Sequence, residues 1–176
     1  MMTERTGAQL FGSLTSNVLA KRSQRSYKTY REMRLDPTLS LARQLVLAPV
    51  LLAQWSFESR DGAPPEAAAF IEKQIRPIRI HLLRTAMLGC IDFGWQPYEK
   101  VYSYDGQRYT LQKLKPLLQD LTDILVDQET GAYIGLRQRT TSKETTLEVA
   151  ETFLVSLDVE GTDWYGQPVM EVARKP

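Results

Sequence analysis

Gly89-Cys-Ile-Asp-Phe-Gly-Trp-Gln-Pro-Tyr-Glu-Lys-Val-Tyr-Ser-Tyr-Asp-Gly-Gln-Arg-Tyr109 is the stretch in which the periodicity of the chain changes. Before it, apolar residues recur every three or four positions, the spacing of a helix with one buried face. After Gly94, Tyr98, Lys100, Tyr102 and Tyr104 alternate with Glu99, Val101 and Ser103, the period of a strand. Asp105-Gly106 then supplies a hairpin turn before Tyr109 to Lys115,. Gly89 is placed to end the helix, Gly94 to redirect the backbone, and Glu99 to lie on the first strand,. A helical layer followed by a β-hairpin predicts an α+β fold, with N-terminal helices packed on a small, mainly antiparallel sheet.

Upstream, residues 1–26 are rich in Ser, Thr, Gly, Gln and bases, with scattered Leu10, Phe11, Leu14, Val18 and Leu19. They read as a flexible basic arm, and residues 27–176 as one domain. Tyr27, Tyr30 and Met33 predict a short helix that stops at Asp36-Pro37, where Asp36 caps the next helix and Pro37 occupies its first position,. That helix is expected over Pro37 to about Gln54, with Leu41, Leu45, Ala48 and Leu52 on one face. Being apolar nearly all round, it reads as buried on most sides, with a kink at Pro49. Trp55 to Glu58 alternates like a short strand ending at Asp61-Gly62. A helical segment from Pro65 breaks at Arg76-Pro77, and a third carries Ile78, Leu82 and Met87 inward,.

Downstream of the hairpin, Pro116 marks a break. Leu121 to Val126 and Ala132 to Arg137 read as strands around a Glu129-Thr130-Gly131 turn, which predicts a four-strand meander,. Gln138 to Thr146 is polar and reads as a loop, whereas Phe153 to Leu157 reads as a buried strand. Gly161 to Gly166 turns the chain, and Val169 to Ala173 begins a helix too short to bury a face of its own,.

With 43% hydrophobic and 24% charged residues, the chain has a globular composition,. A net charge of +1 gives no overall pull toward nucleic acid,. The charge is nevertheless uneven. Lys21, Arg22, Arg25, Lys28, Arg31 and Arg34 face only Glu32, while Glu144, Glu148, Glu151, Asp158, Glu160 and Asp163 run without a base. Such runs are usually solvated faces. The functional alternative is a basic arm for nucleic acid or for an acidic neighbouring subunit. A single cysteine, Cys90, excludes a disulfide framework and a thiolate zinc site,. Leu45 to Ala53 is the longest apolar run and is far too short to span a bilayer, so no membrane partner is expected,.

Phosphate-binding glycine loops, dinucleotide fingerprints and nucleophile elbows are all missing,. His81 is the only histidine and reads as a helix surface residue, because a metal site needs several ligands,. Asp92, Glu99 and Asp105 have no shared geometry that their spacing establishes, since Asp105 serves a turn and Glu99 a strand,. No catalytic residue, metal or cofactor is assigned. Tyr98, Tyr102, Tyr104 and Tyr109 beside Arg108 suit cross-strand pairing,. Stacking on single-stranded bases is the alternative, which would make the chain a small nucleic-acid-binding module.

The ordered set of Tyr30 to Pro37, Trp55, Leu88 to Tyr102 with Asp105-Gly106, Leu114 to Pro116, Glu129 to Gly131, and Asp163-Trp164-Tyr165-Gly166-Gln167-Pro168 resembles the N-terminal half of tailed-bacteriophage portal proteins of the Mu-like branch. The resemblance covers about residues 27–173. It implies a structural, non-enzymatic subunit of a homo-oligomeric ring, typically dodecameric, at one capsid vertex of the virion. Such a ring is assembled in the host cytoplasm and conducts double-stranded DNA during packaging and ejection. The partners it implies are the major capsid protein, terminase and head-completion proteins. The matched part is the peripheral wing. Stem, clip and crown would lie beyond the Trp164-Tyr165-Gly166 turn, so the resemblance implies a chain truncated before that region, such as a split or decayed prophage gene.

Overall fold

The computed structural model describes residues 27–59 and 62–174, and the arm with Lys21, Arg22 and Arg25 lies outside the described residues. Helix α1, Tyr27–Met33, closes where the Asp36 amide donates to the Met33 carbonyl at 3.1 Å. Asp36 then caps α2, Pro37–Leu52, by accepting from the amides of Thr38 and Leu39, with Pro37 at the first turn. Both the stop and the start follow the Asp36-Pro37 signal, because an aspartate oxygen satisfies orphan amides and proline has none to satisfy.

Helix α3 runs from Pro65 to Phe93 without interruption, which corrects two expectations. Pro77 breaks nothing, although an internal proline costs a helix about 3 kcal/mol. The helix packs along the strands Trp95–Tyr104, Tyr109–Pro116 and Thr152–Ser156, and this long contact holds it together. It also passes through Gly89 and ends at Gly94, which takes the left-handed conformation at φ 86° and donates to the Cys90 carbonyl at 2.8 Å. Leu83, Ala86, Cys90 and Phe93 form its buried stripe. Ile78, Leu82 and Met87, expected there, are only half-buried.

Gly89 serves packing rather than termination, since a β-carbon there would stand 2.7 Å from Cβ of Gln96. Gly89→Ala therefore sets a gain of about 1 kcal/mol in helix propensity against about 1–3 kcal/mol of overpacking. The expected result is net destabilisation, read as a lower urea midpoint at unchanged slope.

Strand β1, Trp95–Tyr104, pairs antiparallel with β2, Tyr109–Pro116, and with β6, Thr152–Ser156, in the order β2-β1-β6. The register sets Tyr104 opposite Tyr109 and Trp95 opposite Ser156. At the predicted turn, Asp105 accepts from the amides of Gln107 and Arg108, and Gly106 has φ 95°. A second sheet, in the order β3-β4-β5, contains Thr122–Val126, Tyr133–Arg139 and Glu144–Glu148. The expected single meander is therefore two three-stranded sheets. The polar segment read as a loop instead forms β5 and a tight turn in which the Thr140 amide donates to the Lys143 carbonyl. β5 is polar except for Leu147, and it pairs with β4 through the backbone ladder and through Glu144 with Arg137, so it carries little apolar signal,.

Three further expectations are corrected. Trp55 to Glu58 is irregular, because its alternating residues find no partner strand,. Leu41, Leu45 and Leu52 of α2 are exposed, and Leu47 is its buried residue. The last helix, α4, Val169–Ala173, does bury a residue of its own, Met170. It packs on α3 and on α1, where the Tyr30 hydroxyl donates to the Glu171 carboxylate. In β6, Phe153 remains more than a third exposed while Thr152 is buried. The core joins both sheets through Trp95, Leu117, Ile124, Leu136 and Tyr165, closed by Tyr30, Phe93 and Met170. No single helix among the described residues is long and apolar enough to cross a membrane.

Candidate functional site

The helical layer is joined at Asp92, one residue before the C-terminal residue of α3. A carboxylate at that end opposes the helix dipole and needs compensating cations. Arg34, just after α1, brings Nε to 2.9 Å of Asp92 Oδ2, and Arg43 of α2 brings Nη2 to 2.7 Å of the same oxygen. Asp92 is 1% exposed. Burial pushes its carboxyl above the ordinary range although both guanidinium groups pull the other way. Burial likewise lowers Arg34, against the attraction of Asp92.

Phe93 extends the same joint. The guanidinium carbons of Arg34 and Arg31 lie 4.7 and 5.5 Å from its ring centroid, and Tyr27 packs on it at 5.6 Å. Arg31 forks onto Asp120 with two 2.9 Å hydrogen bonds, so that the Asp120 carboxyl is held below its usual range. Arg31, Arg34, Arg43, Asp92 and Phe93 line a cavity of about 270 Å³ together with Gln96 and Gln119. Both amides are buried and committed: Gln96 donates to the Pro97 and Leu117 carbonyls, and Gln119 donates to the Trp95 carbonyl and the Gln96 side chain.

A second joint ties the two ends of the domain. Gly94 and Gly166 meet backbone to backbone: a β-carbon on Gly166 would stand 2.9 Å from the Leu157 nitrogen, and one on Gly94 would stand 2.8 Å from the Tyr165 carbonyl oxygen. Both have positive φ, so glycine is required twice over,. Tyr165 stacks edge-on against Trp95 at 5.0 Å and accepts a hydrogen bond from the Ile124 amide. Trp164 donates its indole N–H to the Gly131 carbonyl. The stretch from Gly89 and the Asp163 to Pro168 turn, far apart in sequence, are thus one piece of structure.

The remaining candidates are dispersed. Of the basic run, Lys28 is exposed 3.8 Å from Glu32, while Arg31 and Arg34 are engaged within the chain. Glu99 pairs with Lys115 across the β1–β2 ladder, and Asp105 is at the hairpin tip, so neither approaches Asp92. His81 is exposed on α3 above a groove with Lys113 and Lys115. Cys90 is buried and its thiol is pushed up to about 12 by burial. Tyr104 and Tyr109 pack on each other at 4.9 Å, and Arg108 lies over Phe70. Among the described residues, no group of three or more His, Cys, Asp or Glu side chains is arranged to hold a metal ion.

Sequence reasoning overlooked the pairing of Asp92 with two arginines. Its signal was Arg43, the one charge in a mostly apolar helix, on the i, i+4, i+8 row between Leu39 and Leu47. A charge in that row needs an internal counter-ion.

In comparison with known families, the model described as the portal protein of Mu bacteriophage matches residues 27–176. No curated protein gives a match.

Proposed function

Because the chain belongs to the family of portal proteins of Mu bacteriophage, we propose that it contributes a wing-like scaffold to the ring through which double-stranded DNA is packaged and ejected, and on which terminase and head-completion proteins dock. The family is structural, and its members assemble as oligomeric rings at a vertex of the phage head. The observation that carries the reading is the family match over residues 27–176, and the joints at Asp92 and at Gly94–Gly166, which tie α3 to α1, α2 and the final turn, support a scaffold role. Joints of this kind suit load-bearing in a ring. The nucleic-acid-module alternative draws less support, since Arg31 and Arg34 would have to leave Asp120 and Asp92 to meet phosphate.

Light scattering on the purified chain is expected to report particles many times the 20.1 kDa chain mass, and negative-stain images are expected to show closed rings. A strictly monomeric species at every concentration would overturn autonomous assembly.

A further inference from the structure

We infer that the cavity at the Asp92 joint is a binding site for one small phosphate-type anion, either inorganic phosphate or the end of a phosphomonoester, held by Arg34 and Arg43 and donating its own hydroxyl to Asp92; the inference does not depend on the ring reading. Three cations, Arg31, Arg34 and Arg43, and one acid, Asp92, line the cavity. Asp120 answers Arg31 with both carboxylate oxygens. Three cations against two carboxylates leave one positive charge unanswered. That charge is not in open water, because Arg43 is largely buried, Arg34 is half-buried, and Leu88, Pro116, Leu117 and Leu118 supply apolar walls. Burial lowers Arg34 first of all, Asp92 pulls the other way, and Arg43 and Arg31 add their repulsion. An excess cation in such surroundings is costly, and an anion brought beside it is held more strongly than in water.

The leftover hydrogen-bonding groups select the anion. Arg34 spends Nε on Asp92, Arg43 spends Nη2, and Asp92 spends Oδ2 on both. Phe93, 4.7 Å below the Arg34 guanidinium, steadies it without using an N–H,. Nε of Arg43 and Oδ1 of Asp92 are buried without a hydrogen-bond partner, so two residues lining one cavity leave a donor and an acceptor unused,. Water would satisfy both but is neutral. Chloride, a carboxylate and a phosphodiester are anions with no proton to give Asp92. Phosphate near neutral pH keeps a hydroxyl and also presents several acceptor oxygens, which the guanidinium fork suits. At about 270 Å³ the cavity is smaller than the about 300–1,000 Å³ that takes drug-sized ligands,. It has room for a phosphate and a few waters of about 30 Å³ each. An ion of this size enters beside the ion pairs and leaves them in place, whereas a duplex backbone would have to draw the arginines out.

The test titrates the isotope-labelled full chain at constant ionic strength and about pH 6, where about half of a phosphomonoester retains its proton. The reporter is the side-chain Nε–H resonance of Arg43, identified by its absence from Arg43→Lys. Inorganic phosphate is expected to shift it saturably, with a dissociation constant below about 1 mM. Sulfate, which would set an oxygen rather than a hydroxyl against Asp92, is expected to bind at least about ten-fold more weakly. Adenosine monophosphate separates the two sources: a shift at the concentrations that suffice for phosphate means that a phosphomonoester end is accepted, no shift restricts the site to the free ion, and either result carries the proposal. Calorimetry on Arg43→Lys, which keeps a cation beside Asp92, is expected to show at least about a ten-fold loss of phosphate affinity. If that variant fails to fold, calorimetry with phosphate and with sulfate on the unchanged chain decides the same question. No saturable response to phosphate up to about 10 mM beyond that to chloride, or sulfate bound as tightly as phosphate, would overturn the assignment.

Discussion

Replacing Asp92 with alanine is expected to cost the fold about 3–5 kcal/mol, because it strands two guanidinium groups in a partly dry site without their counter-ion. The side chains of Arg43 and Arg34 are 11% and 33% exposed, so Arg43 in particular has little water to turn to. The ion cluster is not itself a large source of stability. Burial holds the Asp92 carboxyl above its ordinary range, which means the two arginines do not fully offset its desolvation. Exchanging all three together, Asp92→Leu with Arg34→Met and Arg43→Met, is accordingly expected to be neutral, or stabilising by about 1–4 kcal/mol. Urea denaturation of the single and triple variants separates the two effects. A single variant within about 0.5 kcal/mol of the wild type would show that the helices are not joined here.

The same joint has a defined pH response. For Asp92, whose folded value is raised, the associated stability is fully present below the ordinary carboxylate range and is lost as pH rises through the raised value,. For Asp120, held low by Arg31, the contribution is present above the ordinary range and is lost as pH falls,. Acid weakening of the helical layer should therefore survive in the Asp92 variant, because it originates at Asp120.

Trp95→Ala is expected to have an effect of similar size, about 3–5 kcal/mol. Trp95 is fully buried at the start of β1, stacked edge-on against Tyr165 and clustered with Ile124 and Leu136 of the second sheet. Its removal opens a cavity where the sheets, the final turn and α3 meet, and surroundings held by backbone contacts between Gly94 and Gly166 have little freedom to collapse into it,. Trp55→Ala, in an irregular and exposed segment, is the matched control and should change stability by no more than about 0.5 kcal/mol,. Equal effects of the two substitutions in thermal or urea unfolding would mean that the sheets do not share a core at Trp95.

These two sites differ in how far they could be read beforehand. The Gly94 redirection and the Asp105-Gly106 turn were legible because each acts within a few residues, through φ and through a side-chain oxygen that accepts nearby amides,. Asp36-Pro37 was legible for the same reason,. Pro77 and Gly89 misled because their local preferences were outweighed by distant packing, of α3 along three strands and of Gln96 against the helix. The polar edge strand β5 left no periodic trace, and Trp55 to Glu58 left one without a partner to use it.

Helix caps, turn positions, the α+β class and the ordered motifs that mark a phage portal protein are written in the chain, since each depends on short-range sterics, on hydrogen bonds between near neighbours or on residue order. Folding in three dimensions settled which face of α2 turns inward, that Asp92 rather than solvent would answer Arg34 and Arg43, and that Gly94 would meet Gly166. A periodic pattern states how much apolar surface must be covered but not what covers it; that depends on residues scores of positions away and on the desolvation of charges once those surfaces close.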